Sequence, residues 1–289
     1  MDAAQFVVQV LNGVQYGLLA FLVASGLTLV FSILGIINLA HGAFCMIGAY
    51  LAFWLTGILG SFFLAIPVGL AAVVVLAIVT ERLAIALVYR QSHLQQVLLT
   101  FGLTLILNEA QRLIWGSDFH SVAVPDVLAG SIPLTQRQDY QIYRLFVAGV
   151  CMAVAIGLYV TIEKTRFGMI IRASAANRQM AEALGVHVPR LFTLVFSLGV
   201  ALAALAGMIG APLSSVYPGM GDRILIVSFI IVVIGGVGSV KGAFVAAMAV
   251  GLADTFGRVL IPELTSIVIY ALMAIVLLWR PQGLFGAAS

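Results

Sequence analysis

Long apolar stretches dominate the chain, and short polar segments separate them. They cover residues 6–31, 42–59, 62–80, 97–114, 142–162, 191–210, 224–236, 243–259 and 264–279. Backbone in lipid must satisfy its own hydrogen bonds, and uninterrupted apolar runs lack the alternation of a membrane β-barrel. At about 20 residues per crossing, the pattern predicts an all-α, polytopic integral membrane protein with roughly eight to nine transmembrane helices.

Residues 224–259 do not fit a single regular span. The apolar piece 224–236 is short for a full crossing, and it runs into the glycine-rich sequence Gly235-Gly236-Val237-Gly238-Ser239. We interpret 224–259 as a broken helix or a pair of half helices. Whether it crosses once or twice decides the side of the membrane on which the C-terminus lies.

Two short segments resemble each other within the chain. Residues 38–44 have the sequence NLAHGAF, and residues 238–244 have the sequence GSVKGAF. Both follow an apolar stretch and open another apolar helix, which is typical of transporters built from two repeats. The similarity predicts an internal repeat, inverted or parallel, although Gly-Ala-Phe also arises by chance in a chain this rich in glycine and alanine.

The composition supports one membrane-embedded domain over residues 1–289. Hydrophobic residues make up 63% of the chain and charged residues only 9%, whereas soluble domains average about 25% charged. No basic region and small-residue cleavage site mark the first apolar run, so we expect a retained span. Cys45 and Cys151 lie in apolar segments and do not indicate a disulfide framework. The net charge of +3 reflects loop orientation and does not indicate nucleic-acid binding.

Positive charge concentrates in residues 163–190, which hold five of the fourteen lysines and arginines, namely Lys164, Arg166, Arg172, Arg178 and Arg190. Short cytoplasmic loops are enriched in such residues, so this loop is predicted to be cytoplasmic. Alternation then puts the loop 82–96 in the cytoplasm, with Arg82, Arg90 and His93. The loop 115–141, with three aspartates (118, 126 and 139) against Arg137, lies outside, as does the N-terminus.

The same loop contains a predicted short helix from Arg172 to Leu184, followed by Gly185 as its C-terminal glycine. Met180 and Leu184 are four residues apart, and Ala176 extends the same apolar stripe. Such a helix could seat its apolar side in a groove on a cytoplasmic partner. A plain connecting loop whose charges only set the topology explains the sequence equally well.

Polar residues inside the spans form a second group of candidates. Asn38 is a candidate N-cap for a helix that begins near Leu39, and His41 either lines a pathway or bonds a carbonyl of a neighbouring helix. The candidate pathway or helix-junction residues are Asn12, Gln15, Asn38, His41, Gly238, Lys241 and Gly242. Helix packing is the alternative for Gln5, Asn12 and Gln15, which lie beside the small pair Gly13 and Gly17.

Two charged pairs lie at helical spacing near span ends. Glu109 and Arg112 are three residues apart, and Asp254 and Arg258 are four apart, so each pair is expected to close on one helix face. Charges within spans are functional suspects, but the proximity of these pairs to water favours a structural role.

The sequence contains none of the catalytic signatures that we sought. Gly235–Gly242 lacks the phosphate-loop order, because Lys241 follows Val240 where a glycine is required. Neither H-E-x-x-H nor G-x-S-x-G occurs. We therefore expect no enzyme activity, no metal and no cofactor in this chain, and any ATP hydrolysis belongs to a partner.

Several segments, in order, resemble the branched-chain amino acid permeases of the LivH type. Ala181-Glu182-Ala183-Leu184-Gly185 is similar to the degenerate EAA coupling motif of ABC importer permeases. The other similar segments are Asn38–Gly42, Ala203–Gly207, Gly235–Gly242 and Arg280–Phe285. The resemblance extends from about residue 10 to residue 285.

The resemblance implies a permease subunit of an ABC importer for branched-chain amino acids in a bacterial inner membrane. Its partners would be a second permease of the LivM type, two cytoplasmic ATPases of the LivG and LivF types, and a periplasmic amino-acid-binding protein. The ATPase-coupling residues would be Arg172, Arg178, Met180, Ala181, Glu182, Ala183, Leu184 and Gly185. The alternatives are a related permease for urea, short amides or another amino acid, and a self-sufficient secondary transporter or channel.

Overall fold

A computed structural model of the chain describes residues 3–89, 91–135 and 138–286. Its helices are α1 (Ala3–Leu34), α2 (His41–Leu59), α3 (Phe62–Leu83), α4 (His93–Trp115), α5 (Ile142–Lys164), α6 (Arg166–Ala176), α7 (Arg178–Ala183), α8 (Val188–Gly210), α9 (Met220–Gly235), α10 (Val240–Leu260) and α11 (Thr265–Trp279). Single 3₁₀ turns occupy Ile85–Val88, Asp126–Leu128, Ala211–Leu213 and Pro262–Leu264.

The predicted all-α, polytopic membrane architecture is confirmed, and each of the nine predicted apolar stretches forms a helix. Within the described residues, seven helices are long and apolar enough to cross a membrane. The shorter two are α9, with 16 residues, and α11, with 15 residues. One small hairpin, β1 (Ser131–Thr135) paired antiparallel with β2 (Gln138–Gln141), was not predicted; it lies between α4 and α5, outside the spans.

Charge distinguishes the two ends of the helix bundle. We call the end that carries α6 and α7 the basic end, and the end that carries the β-hairpin the opposite end. Ser32 near the end of α1 donates a hydrogen bond to Gly238, so the α9–α10 turn lies at the basic end. His120 pairs with Val216 through two backbone hydrogen bonds of 2.8 Å, so residues 211–219 lie at the opposite end. Arg90 and Arg137, which contribute to the predicted orientation of the loops, lie outside the described residues.

The centre of the bundle is a close crossing of α1 and α8. A Cβ atom added to Gly199 would lie 2.8 Å from the carbonyl oxygen of Gly26, and a Cβ atom added to Gly26 would meet the carbonyl oxygen of Gly199. Small residues allow such backbone contact, which drives helix association where no hydrophobic effect operates. The predicted packing role of Gly13 and Gly17 is likewise confirmed, because both press against α10.

The helices α2 and α9 begin in the interior of the bundle. The Nε2 atom of His41, the first residue of α2, lies 2.9 Å from the carbonyl oxygen of Val23 on α1. Val23 lies 11 residues before the end of α1, about 16 Å from the basic end at 1.5 Å per residue. Gly221 in the first turn of α9 contacts Gly42, so both helix starts meet at this depth. The non-helical segments 35–40 and 214–219 lead the chain to this meeting point.

These contacts reveal an inverted internal repeat, but not between the segments that the sequence similarity paired. Helix α10 packs along α1, and the corresponding pair is α3 along α8. In the same way, α9 packs on α1 and α2 packs on α8. The repeat therefore relates α1–α3 to α8–α10. Residues 38–44 open a helix at mid-depth, whereas residues 238–244 open one at the basic end, so their similarity is not structural equivalence.

Residues 224–259 form two helices rather than one broken helix. Gly236 and Gly238, both at positive φ, turn the chain between α9 and α10. The C-terminal segment then closes the end of α9, because Leu284 and Phe285 donate backbone hydrogen bonds to the carbonyls of Ile234 (2.8 Å) and Gly235 (3.0 Å). The C-terminal segment therefore lies at the basic end, as expected for two crossings.

Candidate functional site

A cavity of about 740 Å³ lies between α1, α9, α10 and the start of α5. It extends from Gln9 to Val23 along α1, which is about 21 Å of helix. It therefore reaches from the opposite end to the depth at which α2 and α9 begin. Its polar and charged lining consists of Gln9, Asn12, Gln15, Tyr16, Arg144, Ser214, Ser215, Tyr217, Arg223, Ser228, Asp254, Thr255 and Arg258.

Two of the three arginines in this cavity are held by neighbours. The Arg258 side chain pairs with the buried Asp254 carboxylate at 2.8 Å, which confirms the predicted pair on one face of α10. Arg144 donates to the amide oxygen of Asn12 at 3.2 Å and so joins α5 to α1. The other predicted pair, Glu109 with Arg112, also closes at 2.8 Å, but on the exposed surface of α4.

The predicted pathway residues do not form one site. Asn12 and Gln15 line the cavity. Gly238 lies at the basic end in the α9–α10 turn, and Lys241 and Gly242 follow it in the first turn of α10. There Lys241 forms a 3.0 Å ion pair with Glu163 at the end of α5.

Asn38 and His41 lie at the junction at mid-depth and are fully buried. Asn38 is not the N-cap of α2, which begins two residues later than expected. Its side-chain oxygen accepts from the backbone N–H of Ala40 at 3.1 Å, a local turn that competes with helix. His41 bonds the carbonyl of Val23, which is the structural alternative raised for it.

At the basic end, the predicted helix from Arg172 to Leu184 is broken in two. Asn177 adopts an extended conformation (φ −153°, ψ 99°) between α6 and α7, and its side chain caps α7 by accepting from Met180 N–H at 2.9 Å. Asparagine favours such caps over helix interiors because its short amide satisfies free N–H groups. The predicted C-terminal glycine is confirmed: Gly185 has φ +88°, and Val186 N–H bonds the carbonyl of Ala181.

The surface of α7 divides into an anchored side and an exposed side. Ala181 is only 3% exposed, whereas Met180 is 59% and Leu184 78% exposed. Ala183 and Glu182 are exposed as well. Arg178 pairs with Glu182 at 3.3 Å, and on α6 Arg172 lies 4.0 Å from Glu163. Most charges of the segment are thus engaged within the chain, while Met180 and Leu184 face outward.

The anchored side connects α7 to the bundle. The Arg178 guanidinium lies 4.7 Å from the centre of the Phe192 ring on α8, and Tyr89 packs edge-on against the same ring. Tyr89 and Thr193 both donate hydrogen bonds to the buried carboxylate of Glu81 on α3. Burial and the bond to Glu81 raise the pKa of the Tyr89 hydroxyl above its usual value. α7 therefore contacts α8 through Arg178, and α8 is joined to α3 through Thr193 and Glu81.

Two cavity arginines were missed by reasoning from the sequence. Arg144 fell inside a predicted span, and Arg223 lay one residue before another. The available signal was the pair Asp222-Arg223 between a glycine-rich turn and an apolar run, because charge at a span boundary marks either water or a cavity.

Comparisons with known proteins agree with this architecture. The profile of the family described as branched-chain amino acid transport system / permease component matches residues 9–277. The chain is 31% identical to the high-affinity branched-chain amino acid transport system permease protein BraD of Pseudomonas aeruginosa, over 96% of this chain and 95% of that protein. It is 30% identical to the corresponding protein LivH of Escherichia coli K12, over 97% and 96%.

A solved structure extends the comparison to the fold. PsaBC from Streptococcus pneumoniae in complex with a Fab matches 95% of this chain and 92% of its own chain, with a TM-score of 0.53 and 14% identity. At this identity the match concerns the fold alone.

Proposed function

The chain belongs to the family of branched-chain amino acid transport system permease components, and we propose that it is one of two membrane subunits of an ABC importer for branched-chain amino acids. Relatives named as such permeases cover nearly the whole chain. The role is translocation, and ATP hydrolysis belongs to partner chains.

The observation that carries the proposal is the exposed face of α7 at the basic end. Short cytoplasmic loops are rich in Lys and Arg, so this end is the cytoplasmic one. Met180 and Leu184 offer apolar contacts to a cytoplasmic ATPase, while Ala181 anchors the helix to the bundle. We propose that ATPases of the LivG and LivF types dock on α6 and α7 and on the equivalent segment of a LivM-type permease.

Coupling then follows the side chains that join α7 to the transmembrane helices. Arg178 contacts Phe192 of α8, and α8 crosses α1 at the Gly26–Gly199 contact. Closure of the ATPase pair moves α7, and α8 carries that movement to the starts of α2 and α9 at the centre. The cavity at the opposite end receives the amino acid from a periplasmic binding protein, in the inner membrane of a bacterium.

The experiment that tests the proposal is uptake of labelled leucine by the assembled complex. The chain is co-expressed with the second permease, the ATPases and the binding protein, and is reconstituted in proteoliposomes. ATP-dependent uptake that isoleucine and valine inhibit, and urea does not, is the expected result. Inhibition by urea alone identifies the related urea permease, and uptake without ATP identifies a secondary transporter or channel.

A further inference from the structure

The cavity at the opposite end carries an excess of positive charge. Three arginines, Arg144, Arg223 and Arg258, line it, against the single carboxylate of Asp254. Asp254 already holds Arg258 at 2.8 Å, and Arg144 is bonded to Asn12 and more weakly to Gln141. The described part of the chain offers no hydrogen bond or ion pair to the third arginine, Arg223.

Arg223 occupies an unfavourable position for a cation. It lies in the first turn of α9, where the helix dipole presents its positive end. Arg223 and Asp222 in the same turn are both exposed, and they do not pair with each other. That turn begins at the mid-depth contact of Gly221 with Gly42, far from either end of the bundle. An exposed arginine that faces a cavity at this depth and has no partner is free to bind an anion there.

We propose that Arg223 binds the α-carboxylate of an amino acid inside this cavity. Guanidinium recognises a carboxylate through two parallel N–H···O hydrogen bonds, and it stays protonated at physiological pH. The inference rests on the proposed function, and it adds a substrate-binding residue within the permease itself.

The surroundings of Arg223 suit the rest of such a molecule. Leu19, Val23, Ile224 and Val227 provide an apolar wall for a branched side chain. Gln15 and the second carboxylate oxygen of Asp254, whose first oxygen holds Arg258, are acceptors for the α-ammonium group nearer the opposite end. The cavity of about 740 Å³ lies in the range of small-molecule sites.

The test is equilibrium binding of radiolabelled leucine to the purified permease complex without the binding protein. Two analogues separate the ends of the molecule: 4-methylpentanoate keeps the carboxylate and lacks the ammonium group, and leucinamide has the reverse. The variant is Arg223→Gln, with Arg223→Lys as a milder change that keeps the charge. Arg112→Gln is the matched control, because Arg112 lies at the end of α4, pairs with Glu109 and is remote from the cavity.

We expect saturable leucine binding that 4-methylpentanoate displaces and leucinamide does not. Arg223→Gln should weaken binding at least tenfold, Arg223→Lys less, and Arg112→Gln not at all. Equal displacement by leucinamide, unchanged binding to Arg223→Gln, or no saturable binding to the wild type each overturns the inference. Uptake by the wild-type complex is scored separately, so a permease that transports leucine without this site is distinguished from one that does not transport leucine.

Discussion

Gly26 of α1 and Gly199 of α8 touch backbone to backbone, with each carbonyl oxygen occupying the space in which the other residue's Cβ would lie. We expect Gly199→Val to force the two helices apart, because backbone cannot yield as a flexible side chain does. Overpacking of this kind costs about 1–3 kcal/mol or more. The measurement is the thermal midpoint of the detergent-solubilised protein. Gly149→Val on α5 is the control, since nothing lies within 4 Å of its added Cβ; equal loss in both variants would refute a specific crossing.

The buried Glu81 carboxylate, 2% exposed, depends on its two hydroxyl donors. Tyr89→Phe and Thr193→Val should each lower the free energy of unfolding by about 1–3 kcal/mol, because a buried acceptor loses its partner. Chemical denaturation compares them with Tyr159→Phe on the exposed surface of α5. No extra loss in either variant relative to that control would show that the carboxylate is satisfied by water.

Tyr89 also gives the protein an alkaline sensitivity. Its pKa is raised in the folded state, so the stability that its protonated hydroxyl contributes is present below the unfolded pKa of about 10. That contribution is lost as the pH rises above 10. The thermal midpoint of the wild type should therefore fall more steeply above pH 10 than that of Tyr89→Phe. Parallel curves for the two proteins would contradict the raised pKa.

The exposed side of α7 is the proposed docking surface for the ATPase subunits, so substitutions there should weaken their binding. Met180→Glu combined with Leu184→Glu should abolish co-purification of the ATPases while membrane insertion is retained, because the apolar contacts become charged. Reversal of the charges at Arg172, Arg178 and Glu182 should have the same outcome, although these groups are partly engaged within the chain. Val127→Glu is the control, an exposed apolar residue at the opposite end. Retention of the ATPases by the double variant would remove α7 from the interface.

Ser239 caps α10 at the tight turn that follows α9. Its hydroxyl oxygen accepts from Gly242 N–H at 3.0 Å. Ser239→Ala should cost about 0.5–2 kcal/mol of stability, the usual value of an N-cap. Ser61→Ala is a close control, because Ser61 precedes α3 at the same position without a side-chain cap bond. Similar denaturation midpoints for both variants would mean that the cap adds nothing here.

The helices were predictable from the sequence because length and hydropathy decide them locally. Gly185 and the ion pair of Asp254 with Arg258 were predictable for the same reason, since both depend on spacing along one helix. The break at Asn177 was not predicted, because the residues on both sides favour a helix and only the structure shows that Asn177 is the N-cap of α7. The position of Arg223 in the cavity could not be predicted, because it depends on where α9 begins relative to α2, and only the packing of distant segments determines that depth.

The meeting of α2 and α9 at mid-depth constrains how the chain is made. Both approach segments, 35–40 and 214–219, carry non-helical backbone that lipid cannot solvate. Helix α9, with 16 residues, is short for independent insertion into the membrane. Its last carbonyl groups have no partner until Leu284 and Phe285 have been synthesised. The start of α2 therefore leaves the ribosome before α9, the helix whose start it contacts, has been made. A protein that lacks Leu284 and Phe285 would leave the carbonyls of Ile234 and Gly235 at the end of α9 without these donors.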